Sequence, residues 1–280
     1  MCDARSLFRG LSFLVPRSQF RAGLTLVELL IALSIISLTA MALGTLARAT
    51  QISASYVEGH STAAQHARVA MERIGRMVQT AAANETFPGA VLFADSVSGN
   101  RFPDTLVVWK PAAGTTVVDP AGLPRFSELV VYCPNPAQAR QLLEITSRSD
   151  LRVVPALSNL GQWTTELTSL KTGSVSKKVM LTDMLRTASP GGNATMRACV
   201  RFEILLRPNS AEIASYRAGT LAWSDITWPQ HWYGESTGLR QTWVRTELQL
   251  LPNSLADGDA HTSLAIPFLG SAALYYDIQR

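Results

Sequence analysis

Residues 23–34 read GLTLVELLIALS, and the apolar run that they open continues to Ala47. From Leu24 to Ala47 the chain has 24 residues and a single charge, Glu28. A helix of this length is roughly 36 Å long, enough to cross a hydrocarbon core of about 30 Å. The polar interruptions are Thr25, Ser34, Ser37, Thr39 and Thr45, short hydroxyl side chains that can bond back to helical carbonyls. A carboxylate costs about 2.5–3.5 kcal/mol at the centre of a spanning helix and less near its end. A plain anchor has no use for one, so the pattern predicts a partner for Glu28.

The charge around this run sets its orientation. The chain carries a net charge of +4, of which Arg5, Arg9, Arg17 and Arg21 against Asp3 supply +3. Basic residues ahead of a spanning helix hold that end in the cytoplasm. The expected topology is therefore one pass through a membrane, with residues 1–23 cytoplasmic and everything after Ala47 extracytoplasmic. The chain beyond the leader is almost neutral, which argues against a nucleic-acid footprint. Without the membrane helix the composition is that of an ordinary globular domain.

Gly23-Leu24-Thr25-Leu26-Val27-Glu28, preceded by basic residues and followed by a proline-free apolar run, resembles the processing site of the type IV pilin-like family. That family includes pilins, minor pilins and type II secretion pseudopilins. The resemblance implies that a prepilin peptidase cuts between Gly23 and Leu24 and methylates the new amine of Leu24. It makes Glu28 the fifth residue of the mature chain and the residue of assembly. A free amine in an apolar helix bundle needs a counter-ion, and a buried carboxylate needs a cation. Glu28 of one subunit could therefore meet the Leu24 amine of its neighbour and set their axial offset. The implied partners are the peptidase, other pilin or pseudopilin subunits and the inner-membrane assembly platform, and the implied destination is a pilus or pseudopilus. Two features depart from the family pattern. Leu24 stands where phenylalanine is most usual, and Gly44-Thr45 stands where many members carry a proline.

The helix is expected to continue past the membrane. No proline occurs between Pro16 and Pro88. Ala67, Ala70, Met71, Ile74, Met77, Val78 and Ala81 recur at the three-and-four spacing of an amphipathic helix. Asn84 and Pro88-Gly89 read as its stop. In pattern this segment resembles the corresponding helix of PilW-like minor pilins and GspJ-type pseudopilins. The domain reading is a leader at 1–23, a helix at 24–83 with its membrane segment at 24–47, and a β-rich head at 84–280.

Candidate strands in the head are Thr105–Lys110, Glu128–Cys133, Ala198–Arg207 and Thr242–Leu251, with weaker ones at Arg152–Val154 and Lys178–Leu181. Pro103 and Pro134 are read among the turn residues between them. The fold class is α+β: a long N-terminal helix packed on a mainly antiparallel sheet.

Nothing in the sequence resembles an active site, and no enzyme is expected. Of the three cysteines, Cys2 lies in the leader, and the remaining even pair makes a Cys133–Cys199 disulfide or two free thiols the open alternatives. Asp257 and Asp259, near His261, are candidate calcium ligands, without the spaced acids of a full calcium loop. A solvated turn is the plainer reading, and no cofactor is otherwise implied. His60 and His66 are six apart and share no helical face. Trp228-Pro229-Gln230-His231-Trp232-Tyr233 is either a sticky tip or, as favoured, a loop packed on the sheet.

The functional expectation is a structural subunit, a minor pilin or minor pseudopilin precursor. The rival is a periplasmic binding protein or enzyme. It would be either exported through an ordinary signal peptide cut at the Ala40-Met41-Ala42 site or retained on an uncleaved anchor. Glu28 inside the apolar region argues against the signal peptide.

Overall fold

The computed structural model describes residues 25–97, 99–112, 119–189, 196–226, 238–252 and 265–278. Helix α1 runs Leu26–Gln79. The chain divides within it into two units, one ending at Ser53 and one running Ala54–Arg280.

In the first unit every described residue is exposed. The second unit contains strands β1 (Ala90–Val97), β2 (Asn100–Trp109), β3 (Leu129–Pro134), β4 (Leu142–Thr146) and β5 (Lys177–Thr182). These form one antiparallel meander in sequence order. Helix α2 (Leu160–Thr172) lies between β4 and β5. A two-residue pair, β6 (Thr187–Ala188) and β7 (Arg197–Ala198), leads to β8 (Val200–Arg207) and helix α3 (Ser210–Arg217). Strands β9 (Leu239–Leu250) and β10 (Ile266–Asp277) complete a second antiparallel sheet in the order β10-β9-β8. The fold is α+β, a long helix followed by mainly antiparallel sheet.

The head half of α1 packs through small residues. Ala63, Ala67, Ala70, Ile74 and Val78 are buried in one core with Leu106, Val130, Tyr132, Phe202, Val244 and Leu248. Alanines let the helix axis approach the strands closely, which places it against both sheets. Gly270 in β10 belongs to the same contact: a Cβ there would stand 2.8 Å from the sulfur of Met71.

Helix α2 covers the opposite face of the meander. Trp163 and Leu167 share a second core with Val107, Trp109, Leu129, Val131, Cys133, Leu143 and Ile145. Alternate residues of β2 and β3 therefore enter different cores, Leu106 and Val108 toward α1, Val107 and Trp109 toward α2. Burial on both faces explains why these strands read as unbroken apolar runs. In β9, by contrast, Val244, Thr246 and Leu248 are buried between less buried neighbours, matching the alternation in its sequence.

Three expectations change. The helix ends at Gln79 rather than near Ala83, because Ala82 N–H donates to the Trp109 carbonyl (2.9 Å) and not back into the helix. Asn84 then organises the turn, its side chain accepting from the N–H groups of Thr86 and Phe87. Pro103 lies inside β2 and Pro134 is the last residue of β3, paired with Leu142; neither falls between strands. The register skips between the pairs Phe93–Thr105 and Asp95–Phe102, and β3 pairs only with Leu106 to Trp109. A bulge beyond the reach of β3 tolerates a residue with no N–H. Arg152–Val154 forms no strand; Val153 makes an isolated bridge to Arg125.

Candidate processing and assembly site

Thr25 and Glu28 close the start of α1 on themselves. Thr25 N–H donates to Glu28 Oε2 at 2.9 Å, and the Thr25 hydroxyl donates to the same oxygen at 3.0 Å. Glu28 N–H donates to Thr25 Oγ1 at 3.3 Å, while Leu29 N–H takes the Thr25 carbonyl at 3.2 Å. This is a capping box, in which the first and fourth residues satisfy each other's backbone donors. The signal, Ser or Thr followed three residues later by Glu, stood in the sequence at Thr25-Leu26-Val27-Glu28. Reading Glu28 only as a charge in need of a neighbour overlooked it. Gly23 and Leu24, the expected processing pair, lie outside the described residues.

Beyond the box the hydroxyls of the apolar run bond back to carbonyls of their own helix. Ser34 donates to the Leu30 carbonyl (2.7 Å), Ser37 to Ser34 (2.9 Å), Thr39 to Ile35 (3.0 Å) and Thr45 to Ala42 (2.8 Å). The large side chains face outward: Leu26 is 76% exposed and Leu43 66%. The most apolar 18-residue window of α1 has mean hydropathy 2.3, so this helix is long and apolar enough to cross a membrane. Polar groups satisfied within the helix, with apolar groups left outside, are what a bilayer requires of a spanning segment.

Residues 19–44 match the family model of the prokaryotic N-terminal methylation motif. The chain carries the prepilin signature of type IV pilins and pseudopilins. The signature spans the Gly23–Leu24 pair, the capping box and all but the last three residues of the apolar run. No curated protein and no solved structure matches the chain. A prepilin-type leader and one long apolar helix fit a membrane-anchored pilin-like subunit, one that a prepilin peptidase processes and that assembles with others of its kind.

The remaining candidates separate. Cys133 and Cys199 are free thiols, so the disulfide alternative is not formed. Cys133 points into the α2 core, and burial pushes its thiol up to about 12. Cys199 lies between β7 and β8, its backbone bonded to Arg186 and Gln249, and burial raises its thiol too. His60 Nδ1 lies 3.0 Å from the Tyr56 carbonyl oxygen, whereas His66 Nδ1 lies 3.2 Å from Thr182 Oγ1. They share no site. Asp257, Asp259 and His261 lie outside the described residues, as does the aromatic stretch 228–233.

Two ion-pair systems that sequence reading missed tie the head together. Arg73 of α1 donates to both oxygens of Glu144 in β4, Nη2 to Oε1 at 2.7 Å, and Tyr132 Oη donates to the same carboxylate at 3.2 Å. Glu144 is 94% buried at its side chain. In the second, Asp95 and Asp104 face Lys171 of α2 and Arg197 of β7. Burial, then the charge of Asp95, lifts the Asp104 carboxyl above the usual carboxylate range. Both systems join residues distant in the chain, so no local pattern announces them.

Proposed function

We propose that this chain is the precursor of a minor pilin or minor pseudopilin, a structural subunit and not an enzyme. The observation that carries the reading is the methylation motif lying over a stretch of helix, residues 26–46, whose large apolar side chains are all exposed. A prepilin peptidase cuts after Gly23 and methylates Leu24. Residues 24–47 then hold the subunit in the inner membrane, with the head periplasmic. The same surface is later buried among the helices of neighbours in the filament.

Glu28 has two roles in succession. In the isolated subunit its carboxylate is satisfied by Thr25. In the filament it turns to the Leu24 amine of the adjacent subunit, a charge-assisted contact stronger than the neutral bonds it replaces. The size of the head supports a low-copy or tip position, since a bulky domain obstructs close stacking along a shaft. No cofactor is needed for this work.

The test is intact-mass and N-terminal peptide analysis of membrane-extracted protein, with and without the peptidase. The expected product starts at methylated Leu24 and depends on the peptidase. A product starting near Leu43 marks an exported protein, and one retaining Cys2 marks an uncleaved anchor; either overturns the filament reading.

A further inference from the structure

A groove of about 670 Å³ opens between α1 and strands β3 and β4 of the meander. Its walls carry four cations, Arg73, Lys110, Arg125 and Arg148, against two carboxylates, Glu128 and Glu144. Both carboxylates are engaged within the head. Glu144 is held by Arg73 and Tyr132. Glu128 accepts from the Trp109 indole at 3.3 Å and from Arg125 N–H at 2.9 Å. Of the four cations only Arg73 is balanced in return. Lys110 Nζ donates to a neutral carbonyl, that of Thr80, at 2.8 Å. Arg125 and Arg148 meet no carboxylate among the described residues, and Arg125 Nε is buried without a hydrogen-bond partner. A buried donor left unpaired costs about 1–3 kcal/mol, more when charged.

Apolar surface lies beside these charges. Met77 and Leu151 line the same groove, and Leu151 is 64% exposed. A different cavity, about 370 Å³, shows the contrast: its Arg152 is already held by Asp150 at 2.8 Å and Glu166 at 2.9 Å.

We propose that this groove binds an acidic peptide segment of a partner protein. A carboxylate engages Arg125 and Arg148, and an adjacent apolar side chain covers Met77 and Leu151. Guanidinium forks match carboxylates in geometry as well as charge. A nucleic acid would share the charge but would also use aromatic platforms for its bases, and among the described residues the groove lining contains no aromatic side chain. The groove is built entirely from residues after Ser53, and its binding requires no filament.

The experiment uses the full chain in detergent micelles on an array of short peptides of varied acidic, basic and apolar content. The probe best bound is then measured by fluorescence anisotropy. Bound peptides are expected to be enriched in a carboxylate beside an apolar residue. Arg148→Glu should weaken the best of them about tenfold or more, and Arg125→Gln by a smaller factor. Because Arg148 is exposed, Arg148→Glu should leave the circular dichroism and melting of the head unchanged, and this is checked alongside. Inorganic phosphate and a short oligothymidylate serve as competitors. No acidic enrichment, equal binding by both variants, or tighter binding of the oligothymidylate overturns the proposal.

Discussion

Between Leu26 and Leu46 helix α1 exposes its leucines and isoleucines, whereas between Ala63 and Val78 it buries alanines. In the first stretch the large side chains are exposed, and in the second the alanines, with Ile74 and Val78, form the contact with the sheets. In a water-soluble helix the order would be reversed, because burying large apolar surface is the main stabilising term. The first half is shaped for a solvent of hydrocarbon or neighbouring helices, while the second is shaped for close approach to strands. Polar side chains differ as well. Those of Ser34, Ser37, Thr39 and Thr45 bond back to their own helix, while Arg73 reaches across to another element.

Breaking the buried ion pair should have the largest effect on the head. Arg73→Met leaves Glu144 buried with only Tyr132 beside it. A loss of about 3 kcal/mol of head stability is expected by chemical denaturation. Adding Glu144→Gln should recover much of it. A single change that costs nothing would mean that α1 is held by its alanines alone.

The size rule is tested by a pair of substitutions. Ala67→Leu overpacks a site that is 1% exposed and should destabilise the head by about 1–3 kcal/mol. Leu33→Ala removes a larger side chain, 55% exposed, and should leave head unfolding within about 0.5 kcal/mol of the parent. Equal effects would erase the distinction between the halves.

A smaller effect separates the halves by pH. Asp104 has its native carboxyl above the ordinary value, through burial and Asp95, with Lys171, Thr105 and Arg197 opposing. Between the two values the folded head holds more proton than the unfolded chain. Its contribution to stability is therefore present at acid pH and lost as pH rises through the native value. Asp104→Asn should flatten that decline in a series of melts. An unchanged slope would assign the decline to other carboxylates.

Much of the helix and its site was legible in the sequence because the forces there are local. Four of the main strands were readable from β-branched and aromatic runs, and β5 from the weaker candidate Lys178–Leu181. The signals failed at β1, β4 and β10. Ile266-Pro267-Phe268-Leu269-Gly270-Ser271 mixes a proline and a glycine into an edge strand, and Leu142–Thr146 is only five residues long. The Thr80–Ala83 turn was read as helix because alanine favours one. The Trp109 carbonyl, 27 residues away, redirected it.

The sequence by itself determined the apolar span, its single charge, the Thr25–Glu28 spacing and the prepilin signature, since each is set by neighbours within a few helical turns. Tertiary structure alone decided which face of each strand meets α1 or α2, why Cys133 and Cys199 stay apart, and where Arg73 finds its carboxylate. Those outcomes depend on strand pairing and burial between residues far apart in the chain, and no local pattern carries that information.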